Sequence, residues 1–231
     1  MTGTGGEKGR ISVDRLYGIL RDHFGFRHWW PGDTKDEIAI GAILTQQTTW
    51  RNVERAIDNL KKEGLLSINS IARCKNSRLE RLIRSTGYYR QKSTRLIGFC
   101  KTISDSYGGF EGLEKLGDKE MRSALLSING IGPETADSIM LYAAGRKTFV
   151  VDAYTKRIFS RIYGTKIDIS YEEMQRLITN LIPRRLAVYK DFHAQLVELG
   201  KNNCKPVPIC GGCPVACYCM YAKRNAANAS I

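Results

Sequence analysis

Apolar positions along this 231-residue chain recur at intervals of three and four far more often than they alternate, which is the signature of amphipathic helices rather than strands. Ser12, a good N-cap residue, stands before Val13, Leu16, Ile19, Leu20 and Phe24, which share one helical face. Thr34 and Glu37 have the spacing of a capping box ahead of Ile38, Ile40, Ile43 and Leu44, and Trp50, Val53, Ile57 and Leu60 continue the pattern. A second box, Ser77 with Glu80, precedes Leu82 and Ile83, and Gly87 is placed to end that helix. Leu96, Ile97, Cys100 and Ile103 form the next face. Ser170 and Glu173 make a third box before Leu177 and Leu181, with Pro183 as the stop, and a final helix runs from about Leu186 towards Leu199. The predicted class is all-α. This length suffices for one large domain or two small ones. Only a glycine-rich start and a small-residue end are of low complexity.

Charge changes the picture. The formal net charge is +13, an excess that favours a polyanionic partner, nucleic acid or an anionic membrane surface. No run approaches the roughly 18 apolar residues of a membrane span, and no lipidation motif is visible, so no membrane role is expected. The positive residues are scattered, as at Arg84, Arg90, Arg95, Lys156 and Arg161, which suits a folded binding surface better than a tail. A solvated basic surface without a partner is the bland alternative.

Five of the seven cysteines fall between Cys204 and Cys219. Cys204, Cys210, Cys213 and Cys219 read as Cys-x5-Cys-x2-Cys-x5-Cys. Thiolates this dense ligate a metal or cluster, or pair as disulfides. The basic segment Lys8–Arg10 leads into an amphipathic helix, not the apolar core of a signal peptide, so a reducing, intracellular compartment and metal ligation are expected. Structural zinc usually takes two Cys-x2-Cys knuckles; one such knuckle with wide flanks better suits a [4Fe-4S] cubane, with zinc as the alternative. Cys217 could replace Cys219 as fourth ligand. Cys74 and Cys100 lie in helical patterns and read as small buried apolar residues.

Two further stretches carry chemistry. In Leu125-Leu126-Ser127-Ile128-Asn129-Gly130-Ile131-Gly132-Pro133-Glu134-Thr135-Ala136 one helix ends, two glycines turn the chain and a proline opens the next helix. Such a turn can present backbone N–H groups to a phosphate; an ordinary helix–helix connection reads the same way. Asp152 follows the apolar run Phe149-Val150-Val151 and precedes a basic amphipathic helix, where an N-cap is the simplest role.

Taken together, the Gly-Ile-Gly hairpin, the Val-Asp pair and the C-terminal four-cysteine loop resemble the helix-hairpin-helix DNA glycosylases, in particular the endonuclease III branch. The resemblance spans nearly the whole chain and includes Leu44-Thr45-Gln46-Gln47-Thr48 and Gly87-Tyr88-Tyr89-Arg90-Gln91-Lys92. It implies a six-helix barrel over residues 33–145, with the hairpin near 121–142, and a second helical domain of residues 1–32 plus 146–231 holding a [4Fe-4S] loop at 204–219. It implies a monomer, cytoplasmic or nucleoid-associated, that binds double-stranded DNA carrying a damaged base. Asp152 matches the family's catalytic aspartate and Gln47 the residue that fills the gap left by an extruded base. Gly130, Ile131, Gly132 and Thr135 match the DNA-gripping hairpin. Two departures matter. The first cysteine gap is one residue shorter than the usual endonuclease III loop. Glu134 stands where bifunctional members carry the Schiff-base lysine, and a carboxylate cannot form that adduct; Lys147 and Lys156 do not match the position. A monofunctional glycosylase follows. Trp29-Trp30-Pro31 and Trp50 are similar to the aromatic positions of the 3-methyladenine glycosylase branch, which often lacks the cluster. This makes Trp30, Trp50 and Glu134 the expected base pocket and an alkylated purine the expected substrate. The alternatives are an oxidised- or deaminated-pyrimidine glycosylase with lyase activity, and a DNA-damage binding protein without turnover.

Overall fold

The computed structural model describes residues 11–228; the glycine-rich start, Lys8–Arg10 and the last residues of the small-residue end lie outside them. Every regular element among the described residues is helical. The chain divides into two compact units. One takes the residues up to Trp29 and from Phe149 onward, and the other is Trp30–Thr148.

In the first unit, α1 (Val13–Phe24) is capped by Ser12, whose hydroxyl accepts from Arg15 N at 3.2 Å. Val13, Leu16, Tyr17 and Leu20 are buried, whereas Ile19 and Phe24 are half-buried. Tyr17 joins the core because its hydroxyl finds the buried Asp191 at 2.9 Å.

The second unit begins with α2 (Lys35–Leu44) and α3 (Trp50–Lys62). Thr34 caps α2 through Glu37 N at 3.1 Å. The reciprocal arm of the expected box is displaced: the Glu37 carboxylate accepts from Asp33 N at 3.0 Å and pairs with Lys61 at 3.0 Å. After α4 (Ile68–Ala72), α5 (Asn76–Leu82) starts ahead of the expected Ser77 box, with Lys75 at the N-cap. Glu80 accepts instead from the Asn76 side chain at 2.8 Å. Gly87 ends a short 3₁₀ turn, Arg84–Thr86, rather than α5. Cys74 sits half-buried in the turn between α4 and α5, not in a helix, while Cys100 is fully buried as expected. The long α6 (Tyr89–Tyr107) is central, with α2, α4, α5 and the short α7 (Phe110–Leu113) against it. Its core face includes Phe99 beside Leu96, Cys100 and Ile103. The unit closes with α8 (Asp118–Leu126), the hairpin, and α9 (Pro133–Ser138), which runs into one wider π turn over Ile139–Ala143.

The first unit resumes with α10 (Ala153–Tyr163), α11 (Tyr171–Thr179), α12 (Leu186–Asn202) and α13 (Met220–Asn228). Both arms of the Ser170–Glu173 box form, at 3.2 Å each. α11 ends at Thr179, ahead of Pro183, and buries Met174 and Ile178; Leu181 is 53% exposed. The expected Leu177–Leu181 stripe is therefore rotated by one residue. α10 and α12 approach so closely that a Cβ on Gly200 would run into the Tyr154 ring. This contact sets the start of α10 beside the last turn of α12. Among the described residues no helix is long and apolar enough to cross a membrane.

Candidate functional site

The hairpin and its neighbours line one concave pocket of about 530 Å³ in the Trp30–Thr148 unit. Gln47, Gly130, Ile131, Gly132, Glu134 and Thr135, all singled out from sequence, are in its lining. The two glycines differ in kind. Gly130 has φ +86°, and a Cβ there would lie 2.5 Å from Arg95, so the fold itself needs glycine. Gly132 has φ −89°, open to any residue, and a Cβ there would meet nothing within 4 Å. Of the two, only Gly130 uses a backbone conformation closed to other residues. No side chain caps the first turn of α9.

Gln46, which sequence passed over in favour of its neighbour, ties the end of α2 to the hairpin. Its Nε2 donates to Gly130 O at 3.1 Å and Thr135 Oγ1 at 2.9 Å, and its Oε1 accepts from Arg95 at 3.3 Å. Gln47 is then left exposed on a left-handed backbone, φ +53°. Tyr88, 66% exposed at φ +45°, lines the same pocket. Three non-glycine described residues have positive φ, and two of them meet here. Such backbones persist where surrounding structure imposes them and concentrate at functional sites. Lys92 also lines the pocket, its ammonium donating to Leu44 O at 2.9 Å and Thr86 O at 2.8 Å. Burial, and then Arg95 nearby, pull its pKa down to about 8.

Trp30 and Trp50 meet edge to face, centroids 5.2 Å apart and planes at 87°. Tyr142, buried in the π turn, lies 5.2 Å from Trp30 at 49°. The two indoles thus form one aromatic cluster with no parallel slot between them. Glu134 lines the hairpin pocket, whose lining contains neither tryptophan.

In the other unit, Asp152 caps α10. Its Oδ1 accepts from both Thr155 N at 2.7 Å and Thr155 Oγ1 at 2.8 Å. Oδ2 is not part of the cap; it faces His193 Nε2 on α12 at 3.5 Å. One oxygen of the carboxylate is therefore committed to the helix cap and the other is not. Burial raises its pKa, but His193 and the Thr155 donors outweigh it and hold the group below its ordinary value. His193 had no signal in the sequence: an isolated histidine on an apolar helix face reads as core.

Cys204, Cys210, Cys213 and Cys219 line one apolar pocket with Ile158, Ile162 and Leu199; Cys217 is exposed and not in that lining. Arg161 donates to Cys204 Sγ at 3.3 Å. Among the described residues no three His, Cys, Asp or Glu side chains are gathered closely enough to hold a metal ion.

The model of the HhH-GPD superfamily of base excision DNA repair proteins matches residues 40–184. A provisionally assigned DNA repair glycosylase of Methanocaldococcus jannaschii is 45% identical over 211 residues, 90% of this chain and 96% of that protein. Endonuclease III of Thermotoga maritima is 28% identical over 191 residues, 81% of this chain and 84% of its own length. The structure of H. pylori 3-methyladenine DNA glycosylase (MagIII) bound to 1,N6-ethenoadenine superposes with a TM-score of 0.74 at 28% identity, covering 83% of this chain and 98% of that one.

Proposed function

The chain belongs to the HhH-GPD superfamily of base excision DNA repair proteins, and from that premise we propose a monofunctional DNA N-glycosylase that removes an alkylated purine. The observation that carries the reading is Asp152, an ionised carboxylate 12% exposed, with one oxygen outside the helix cap. A base inside a duplex is out of reach, so the nucleotide must be extruded. Cleavage of its N-glycosidic bond builds oxocarbenium character on the sugar. Asp152 stabilises that cation electrostatically and orients or deprotonates the attacking water. The open space at Gly132 suits close approach of a phosphate to the backbone. Gln47 and Tyr88 are the exposed groups that fill or stack in the gap left by the base. Glu134 supplies no amine, so the reaction ends at the abasic site.

The substrate class rests on Trp30 and Trp50 and on the likeness to the MagIII structure. An indole face attracts a cationic methylated purine more than a neutral base, and such a base leaves without a covalent catalyst. The four converging thiols are the proposed ligands of a [4Fe-4S] cluster. The single Cys-x2-Cys knuckle with wider gaps on either side suits a group that takes one thiolate per iron better than zinc. When bound, it cross-links the 204–219 loop. The test is base release from alkylated, oxidised and deaminated duplexes. Release from the alkylated duplex is expected, with about tenfold loss for Trp30→Ala or Trp50→Ala and intact abasic-site binding. Turnover confined to oxidised or deaminated pyrimidines would overturn the substrate assignment.

A further inference from the structure

The helix cap consumes Oδ1 of Asp152, which takes both Thr155 donors. Only Oδ2 can serve a sugar or a water, and Oδ2 is the atom that His193 faces. His193 is 5% exposed and sits edge-on to the buried Phe149 ring, centroids 6.4 Å apart at 86°. It stands on α12 two turns before Gly200, where α12 packs tightly on Tyr154 of α10. We propose that His193 is a positioning residue for base release: its Nε2–H holds Oδ2 of Asp152, so that Thr155 and His193 together fix the plane of the carboxylate. The separation of 3.5 Å exceeds a finished hydrogen bond, and catalytic contacts of this kind tighten when substrate binds. Small errors in such a group's placement are costly in rate. This role rests on the reading of Asp152 given above.

Other titratable groups on the elements packed here have their own engagements. Lys156 on α10 donates to Ile169 O, and Asp191 on α12 takes Tyr17 of α1 and Arg27 N. Tyr171 of α11 receives Val151 N. Tyr189 and Lys190 precede His193 on α12; burial raises the first and lowers the second.

The experiment pairs single-turnover base release with a carbon-13 NMR titration of the aspartate carboxyls, the Asp152 signal being assigned by its loss in Asp152→Asn. His193→Phe keeps a ring against Phe149 but removes the donor. It should lower the release rate about tenfold or more, leave DNA affinity unchanged, and move the Asp152 midpoint up. His193→Gln restores an N–H at similar reach without titrating, and should recover most of both. A folded His193→Phe protein with an unmoved midpoint or an undiminished rate overturns the proposal, as does a tenfold loss in His193→Gln. An inactive Asp152→Asn with an unaffected His193→Phe sinks this role alone; full release by Asp152→Asn sinks the reading of Asp152 and this role with it.

Discussion

Gly130 and Gly132 are one residue apart and make opposite predictions. At Gly130 a side chain meets Arg95 and the backbone is left-handed, so Gly130→Ala should destabilise the protein by about 1–3 kcal/mol in chemical denaturation. At Gly132 a side chain meets nothing within the protein, so Gly132→Val should leave the midpoint unchanged and weaken binding to undamaged duplex. Equal affinity in a folded Gly132→Val protein would remove the hairpin from the binding surface. At this scale the sequence shows the residues whose type is itself informative: the paired glycines, Asp152, and the absence of lysine at Glu134. Gln46 and His193 escape it, because their contacts are with partners 84 and 41 positions away, Gly130 and Asp152, and nothing in their local pattern signals those meetings.

Among the elements, the end of α2, the 3₁₀ turn before Gly87 and the start of α6 are held together by one ammonium. Lys92→Met removes the donor to Leu44 O and Thr86 O and should cost about 2–4 kcal/mol, since two buried carbonyls lose a charged partner. The pH dependence has a definite sign. The folded value near 8 lies below the ordinary lysine value of 10.5, so between these the unfolded chain binds more protons. The stability difference between wild type and Lys92→Met should grow as pH rises through that window; a flat difference would contradict the burial argument. Asp152 has the opposite window. Its folded value is depressed below 3.8, so its stabilising contacts are fully present above that pH and are lost as pH falls through the folded value. Helix positions were legible from apolar spacing, and Ser12, Thr34 and Ser170 cap as their types suggest. The Ser77 box failed because Asn76 already satisfies Glu80. The α11 stripe slipped because Met174 and Ile178, not Leu177 and Leu181, face the core. Spacing alone does not choose between two apolar rows one residue apart.

For the whole molecule, the +13 charge should make affinity for undamaged duplex, measured across a salt series, fall steeply, as each neutralised phosphate releases a counterion. The cysteine loop was legible in its residues but not in its occupant. Purified protein should be brown with about four irons per chain, and Cys217→Ser should keep them, because Cys217 is exposed outside the thiol-lined pocket. One stoichiometric zinc in colourless, folded protein would contradict the cluster. In the proposed reaction a single aspartate, with no lysine nucleophile, breaks the glycosidic bond. Its most direct measurement is base release by Asp152→Asn on an alkylated duplex, run beside borohydride trapping of the wild type. The substitution removes the charge and nearly preserves the shape. Intact DNA binding, base release reduced by orders of magnitude, and no trapped protein–DNA adduct are expected. Full release by Asp152→Asn, or efficient trapping of the wild type, would contradict that reaction.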